Sequence, residues 1–148
     1  MSNQQLDLDS LSLEQLGRYK QEEEQKLQQV TGHYGQLRAA QARFVQSKDT
    51  LQQMQESDAG KEVMVPLTQS LYVPGKIVEP TKVTVELGTG FYAEKTTKEA
   101  IAFLGRKIDL VNKNAESIHG VVTGTKRNVD AIVMCMQGKI QELQNRGA

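Results

Sequence analysis

Tryptophan is absent from this chain, aromatic residues make up 5% of it, and cysteine occurs once. Hydrophobic residues reach 38%, below the roughly 45–50% apolar share usual in globular domains. A thick globular core is therefore excluded. The lone Cys135 cannot close an intrachain disulfide, and an unpaired thiol suits a reducing compartment, cytoplasm or nucleus. Long apolar runs are missing as well. The longest, AIVMCM at residues 131–136, is far shorter than the roughly 20 residues that span a bilayer, and the N-terminus lacks a basic region followed by an apolar stretch. A soluble chain that is not exported is expected. Eighteen basic residues balance 18 acidic ones, so no net field recruits nucleic acid or an anionic membrane.

Proline is scarce too: all 3 lie between residues 66 and 80. Proline removes an amide donor and clashes with the preceding helical turn, so helix is firmly excluded in that one stretch. On either side the pattern is helical. With Leu13 at heptad position a, Leu27 and Tyr34 also fall at a, and Leu16, Val30, Leu37, Phe44 and Leu51 fall at d. This one-sided stripe predicts a coiled-coil helix over residues 12–57, opened by a Ser12/Gln15 capping box and stopped by ESDAG. With Ile101 at a, the second stripe continues through Ile108, Ala115, Val122, Val129, Met136 and Leu143, with Leu104, Val111, Ile118 and Ile132 at d. Thr125 and Lys139 interrupt that d column, and Thr96/Glu99 forms a second capping box. A helix over residues 96–146 follows, and two helices of matched length most simply fold back as an antiparallel pair. Gly17, Gly32, Gly35, Gly105, Gly120, Gly124 and Gly138 all avoid a and d. Each costs roughly 1 kcal/mol against alanine, so neither helix is expected to be robust alone.

Residues 58–95 read as two β-hairpins, because Val63, Val65 and Leu67, then Leu71 and Val73, then Val83, Val85 and Leu87 alternate with other residues, and FYAE follows. Pro74-Gly75 suits a turn or bulge, Pro80 the connection between hairpins, and Gly88-Thr89-Gly90 a tight turn with positive φ. Two such hairpins are too small to stand alone and expose unpaired edges. They are expected to join sheets of other subunits, through Val63, Val65, Leu67, Leu71, Tyr72, Val73, Val83, Val85, Leu87, Phe91 and Tyr92. Residues 1–11 are expected to form a flexible tail.

Chemistry-bearing residues point to no enzyme, cofactor or metal. GTGFYA at 88–93 fits G-x-G-x-x-G/A, but a dinucleotide site needs a helix to open at once, and the helix signal waits until Thr96. His33 and His119 are far apart, without clustered ligands. Cys135 has no nearby histidine and reads as a small apolar helix residue. The run EEE at 22–24 is a solvated helix face, with Glu23 on the seam.

Long helices flanking paired hairpins, with GKEVMVPLTQSLYVPGKI and VELGTGFYAEKTTKEAIAFLGRKID between them, resemble the prefoldin family over nearly the whole chain, and two hairpins point to its alpha class. The resemblance implies a mainly α fold with a small β platform, assembled into a double β-barrel. Its partners would be one further alpha-class and four beta-class subunits. It also implies a chaperone without ATP, whose tentacle tips capture unfolded clients, actin and tubulin among them, for the cytosolic chaperonin. Within AIVMCM, Val133, Met134 and Cys135 widen the apolar stripe into a band, while Lys20 and Glu23 opposite it should weaken pairing there. Client contacts are therefore expected at Leu11, Leu13, Leu16, Val133, Met134, Met136, Ile140 and Leu143, with Leu6 and Leu8 adding apolar surface or belonging to the tail. A coiled-coil scaffold or adaptor in a prefoldin-like assembly is the alternative.

Overall fold

The computed structural model describes residues 8–147. A 3-10 turn at Leu8–Ser10 precedes helix α1 (Leu13–Gln53), and a second 3-10 turn follows at Glu56–Asp58. Strands β1 (Glu62–Pro66), β2 (Tyr72–Lys76), β3 (Lys82–Gly88) and β4 (Phe91–Thr96) come next, then helix α2 (Thr97–Arg146). The chain divides into a helical unit, Met1–Arg38 with Lys113–Ala148, and a hairpin unit, Ala39–Asn112.

Both helices start where reciprocal caps satisfy their first amides. The Ser12 N–H donates to Gln15 Oε1 (2.9 Å) and the Gln15 N–H to Ser12 Oγ (3.2 Å). At α2 the Thr96 N–H donates to Glu99 Oε2 (2.9 Å) and the Glu99 N–H to Thr96 Oγ1 (3.3 Å). α1 ends at Gln53 rather than Ser57, for a local reason. Asp58 Oδ2 accepts the Gln55 N–H at 2.7 Å, which takes from the helix a donor it would need for its next turn.

Two caps carry a pH signature. The Thr96 N–H, then its hydroxyl and the Lys95 charge, lower the Glu99 carboxyl below its ordinary 4.5. The Gln55 N–H and then Lys61 lower Asp58 below 3.8. Depressed carboxylates stabilise the fold fully above those ordinary values and lose that contribution as pH falls through the lower folded ones. Carboxyl NMR titrations should therefore give midpoints below 4.5 for Glu99 and below 3.8 for Asp58; ordinary midpoints would contradict the caps.

From Leu13 to Leu51 and from Ile101 to Lys139, every a and d position is buried or half-buried. In the helical unit the pairing is antiparallel. Glu23 meets Asn128 (Nδ2 to Oε2, 3.2 Å), and the Tyr34 ring stands 5.5 Å from that of His119. Leu16, Ala115 and Ile132 form the buried apolar positions here. The weakened pairing expected around Glu23 is not what the residues do: Glu23 is 7% exposed and Thr125 3%. Glu23 also accepts from Lys26 at 3.4 Å, so its carboxylate is hydrogen-bonded within the seam, as buried charge requires.

In the hairpin unit, β1 pairs with β2 and β3 with β4, both antiparallel, as separate two-stranded sheets. Pro74-Gly75 is not a turn. It lies inside β2, opposite Met64 and Val63. Ladder bonds at Leu67–Leu71 and Lys61–Ile77 fix the alternation, which puts Met64–Pro74 and Pro66–Tyr72 at non-hydrogen-bonded pairs, where a missing amide costs nothing. Gly75 leaves room for Val65, whose Cγ2 would stand 3.3 Å from an added Cβ. The turn falls instead at Thr68–Ser70, where Thr68 Oγ1 accepts the Leu71 N–H (3.1 Å). In the second hairpin only Gly90 takes positive φ, +77°, and β3 carries a bulge between Glu86 and Gly88. Pro80 is buried in the connection. Its carbonyl accepts the Thr97 hydroxyl (3.2 Å) and Thr81 accepts the Thr97 N–H (2.9 Å), tying the start of α2 to the loop between the hairpins.

Candidate functional site

The hairpins differ in what covers them. Strand alternation and register place Val63, Val65 and Val73 on one face of the first hairpin, beside Gly75, with Leu67 and Leu71 at its turn. All these large side chains are exposed, and so are Met64 and Tyr72 on the opposite face. Among the described residues nothing covers either face. The second hairpin leans on the helices: Val83, Val85, Ala93 and Lys95 share a half-buried face. A cleft of about 710 Å³ lies between β3 and the helices, lined by Phe44, Leu51, Phe103, Leu104 and Lys107 among others. Lys95 and Lys107 stand 5.8 and 5.5 Å from the Phe103 ring. Leu87, Phe91 and Tyr92 are exposed, Phe91 at 73%.

The helical unit sorts the other candidates. Met134 is 72% exposed, and Ile140 and Leu143 are exposed as well. Leu11, Leu13, Val133, Cys135 and Met136 are half-buried. Leu16, expected as a client contact, is 0% exposed. Its d position places it in the seam, so it presents no surface. Leu6 lies outside the described residues. Leu8–Ser10, assigned to a flexible tail, form a hydrogen-bonded turn on α2.

Sequence reasoning missed Val45, Val78, Leu110 and Val121, all exposed apolar residues. Val45, Leu110 and Val121 fall outside a and d, which was the available signal; Val78 sits in the loop between hairpins. Asn128 was missed too, because its partner is 105 residues away. Among the described residues no cluster of His, Cys, Asp and Glu could hold a metal ion, and no helix is long and apolar enough to cross a membrane.

Comparison with known proteins gives a consistent picture. The family model described as Prefoldin subunit matches residues 22–142. Prefoldin subunit 5 of Homo sapiens is 37% identical over 145 residues, covering 98% of this chain and 94% of that one. Probable prefoldin subunit 5 of Dictyostelium discoideum is 35% identical over 137 residues, covering 93% and 85%. In fold, the chain matches a cryo-EM structure of filamentous PFD from Methanocaldococcus jannaschii. The TM-score is 0.68 at 20% identity, over 80% of this chain and 98% of the other.

Proposed function

The chain belongs to the prefoldin family as a co-chaperone subunit, and from that premise we propose that it captures unfolded proteins, actin and tubulin chains among them, without ATP. It would act as the subunit-5 member of a heterohexamer with one further alpha-class and four beta-class subunits, and deliver clients to the cytosolic chaperonin. The observation that carries this reading is identity along nearly the whole length with prefoldin subunit 5 of Homo sapiens. Two surfaces support it. The uncovered first hairpin and the exposed Leu87, Phe91 and Tyr92 of the second suit docking to partner sheets, and Met134, Ile140 and Leu143, with half-buried Leu13, Val133 and Met136, suit adaptable contact with varied apolar segments. The proposed compartments are cytoplasm and nucleus.

Reconstitution tests the reading. Coexpressed with the other subunits, the chain should enter a hexamer that suppresses aggregation of several unrelated denatured proteins without nucleotide. A hexamer that protects none of them, yet holds one folded partner, would establish the scaffold alternative.

A further inference from the structure

In the helical unit the segment before α1 is joined to α2 near its C-terminal end. The turn Leu8–Ser10 lies back on α2: the single proton of the Cys135 thiol has two acceptors in reach, the Leu8 carbonyl (3.4 Å) and Asp9 Oδ1 (3.6 Å), and Lys139 Nζ donates to the Asp9 carbonyl at 2.7 Å. Cys135 and Lys139 are four apart in sequence, so they neighbour each other on one helix face. Among the described residues, Cys135 and Lys139 anchor the turn along that face. The chain then closes on itself, the Leu11 N–H donating to the Leu8 carbonyl (3.3 Å) before the Ser12 cap opens α1. Leu8 and Leu11 are half-buried.

The face so covered belongs to the apolar band of α2. Cys135 and Met136 are half-buried there, whereas Met134, pointing elsewhere on the helix, is 72% exposed. Beyond the turn a shallow groove of about 250 Å³ continues, lined by Leu11, Leu13, Lys139, Glu142, Leu143 and Arg146. The segment adjoins this groove, with its last residue, Leu11, forming part of the lining. Its anchors are hydrogen bonds that water can replace at little net cost. An incoming segment that buries more apolar surface than the half-buried Leu8 and Leu11 gains by burial beyond what those two residues and the polar anchors hold.

Building on the client-capture reading above, we propose that Leu8–Leu11 is an occluding strap: it covers the Cys135–Lys139 face of α2 in the client-free subunit and is displaced when an extended apolar segment of an unfolded chain takes that face and the adjoining groove.

The test uses the reconstituted hexamer in three forms: wild type, a truncation lacking residues 1–11, and Lys139→Ala, which keeps the segment but removes one anchor. Two quantities are read, the rate of Cys135 alkylation by a maleimide, followed on its own peptide by mass spectrometry, and the affinity for denatured actin. A cover that is closed most of the time lowers apparent affinity by its open fraction. Truncation should therefore raise alkylation and affinity by similar factors, about three- to ten-fold, and Lys139→Ala should raise both by less. Helix content by circular dichroism checks that α1 still starts at its Ser12 cap. Unchanged alkylation in both variants overturns the strap. Faster alkylation with unchanged or weaker capture overturns occlusion. Failure of every form to bind denatured actin sinks the capture reading and occlusion with it, whereas capture by wild type without gain on truncation sinks occlusion and leaves the capture reading standing.

Discussion

Replacing Val65 and Val73 together with aspartate should abolish entry of this chain into the hexamer while leaving its helix content unchanged. These two residues face each other across β1 and β2 and are 42% and 41% exposed in the isolated chain, so the substitutions disturb little packing within it. In the assembly the same positions would be buried against partner sheets. Each valine is already more than half covered and has only its exposed share left to bury, about 1 kcal/mol, so most of the loss comes from each unpaired carboxylate, whose desolvation costs on the order of several kcal/mol. Two sites together exceed roughly 4 kcal/mol, or about a thousandfold in affinity. Size-exclusion chromatography of coexpressed subunits reads the outcome, and recovery of a normal hexamer would remove the first hairpin from the interface. Val83 and Val85 serve this purpose less well, because they already lie half-buried beside the cleft under β3.

The second large effect is expected in the seam of the helical unit. Ile132 is 0% exposed, and Ile132→Ala should cost about 2–5 kcal/mol through lost burial and a residual cavity, with the helical melting transition falling by roughly 10 °C. Met134 sits two residues away but is exposed. Met134→Ser should change stability by less than about 0.5 kcal/mol. Comparable thermal losses from both would place Met134 in packing contacts and remove it from the proposed client surface.

The seam was legible in the sequence because helical packing repeats a local rule: residues three and four apart share a face, and apolar side chains mark it. Caps were legible for the same reason, since Ser12 with Gln15 and Thr96 with Glu99 act over three residues. What stayed hidden depends on partners far away in the chain. Cys135 was read as a small apolar residue, but it donates to a carbonyl 127 residues earlier. Glu23 was read as a weak point, and Asn128 turns it into a satisfied polar layer. Pro74-Gly75 carried a strong turn signal by composition. The ladder phase decided otherwise, because proline fits a strand wherever the pairing asks for no amide, and composition does not contain that phase. Of the candidate client contacts, Leu16 shows the corresponding limit: heptad position separates seam from surface only when the partner helix is known to persist that far.

The bare first hairpin also bears on how much of this protein a cell can hold. A copy without partners displays valine, leucine, methionine and tyrosine on both faces of a two-stranded sheet, and its unpaired strand edges invite addition of another chain. To a surveillance system that reads exposed apolar surface, such an orphan presents the same signal as a damaged protein. Overproducing this chain alone should therefore give aggregation or degradation, read as its loss from the soluble fraction, and coexpression of the other subunits should restore it.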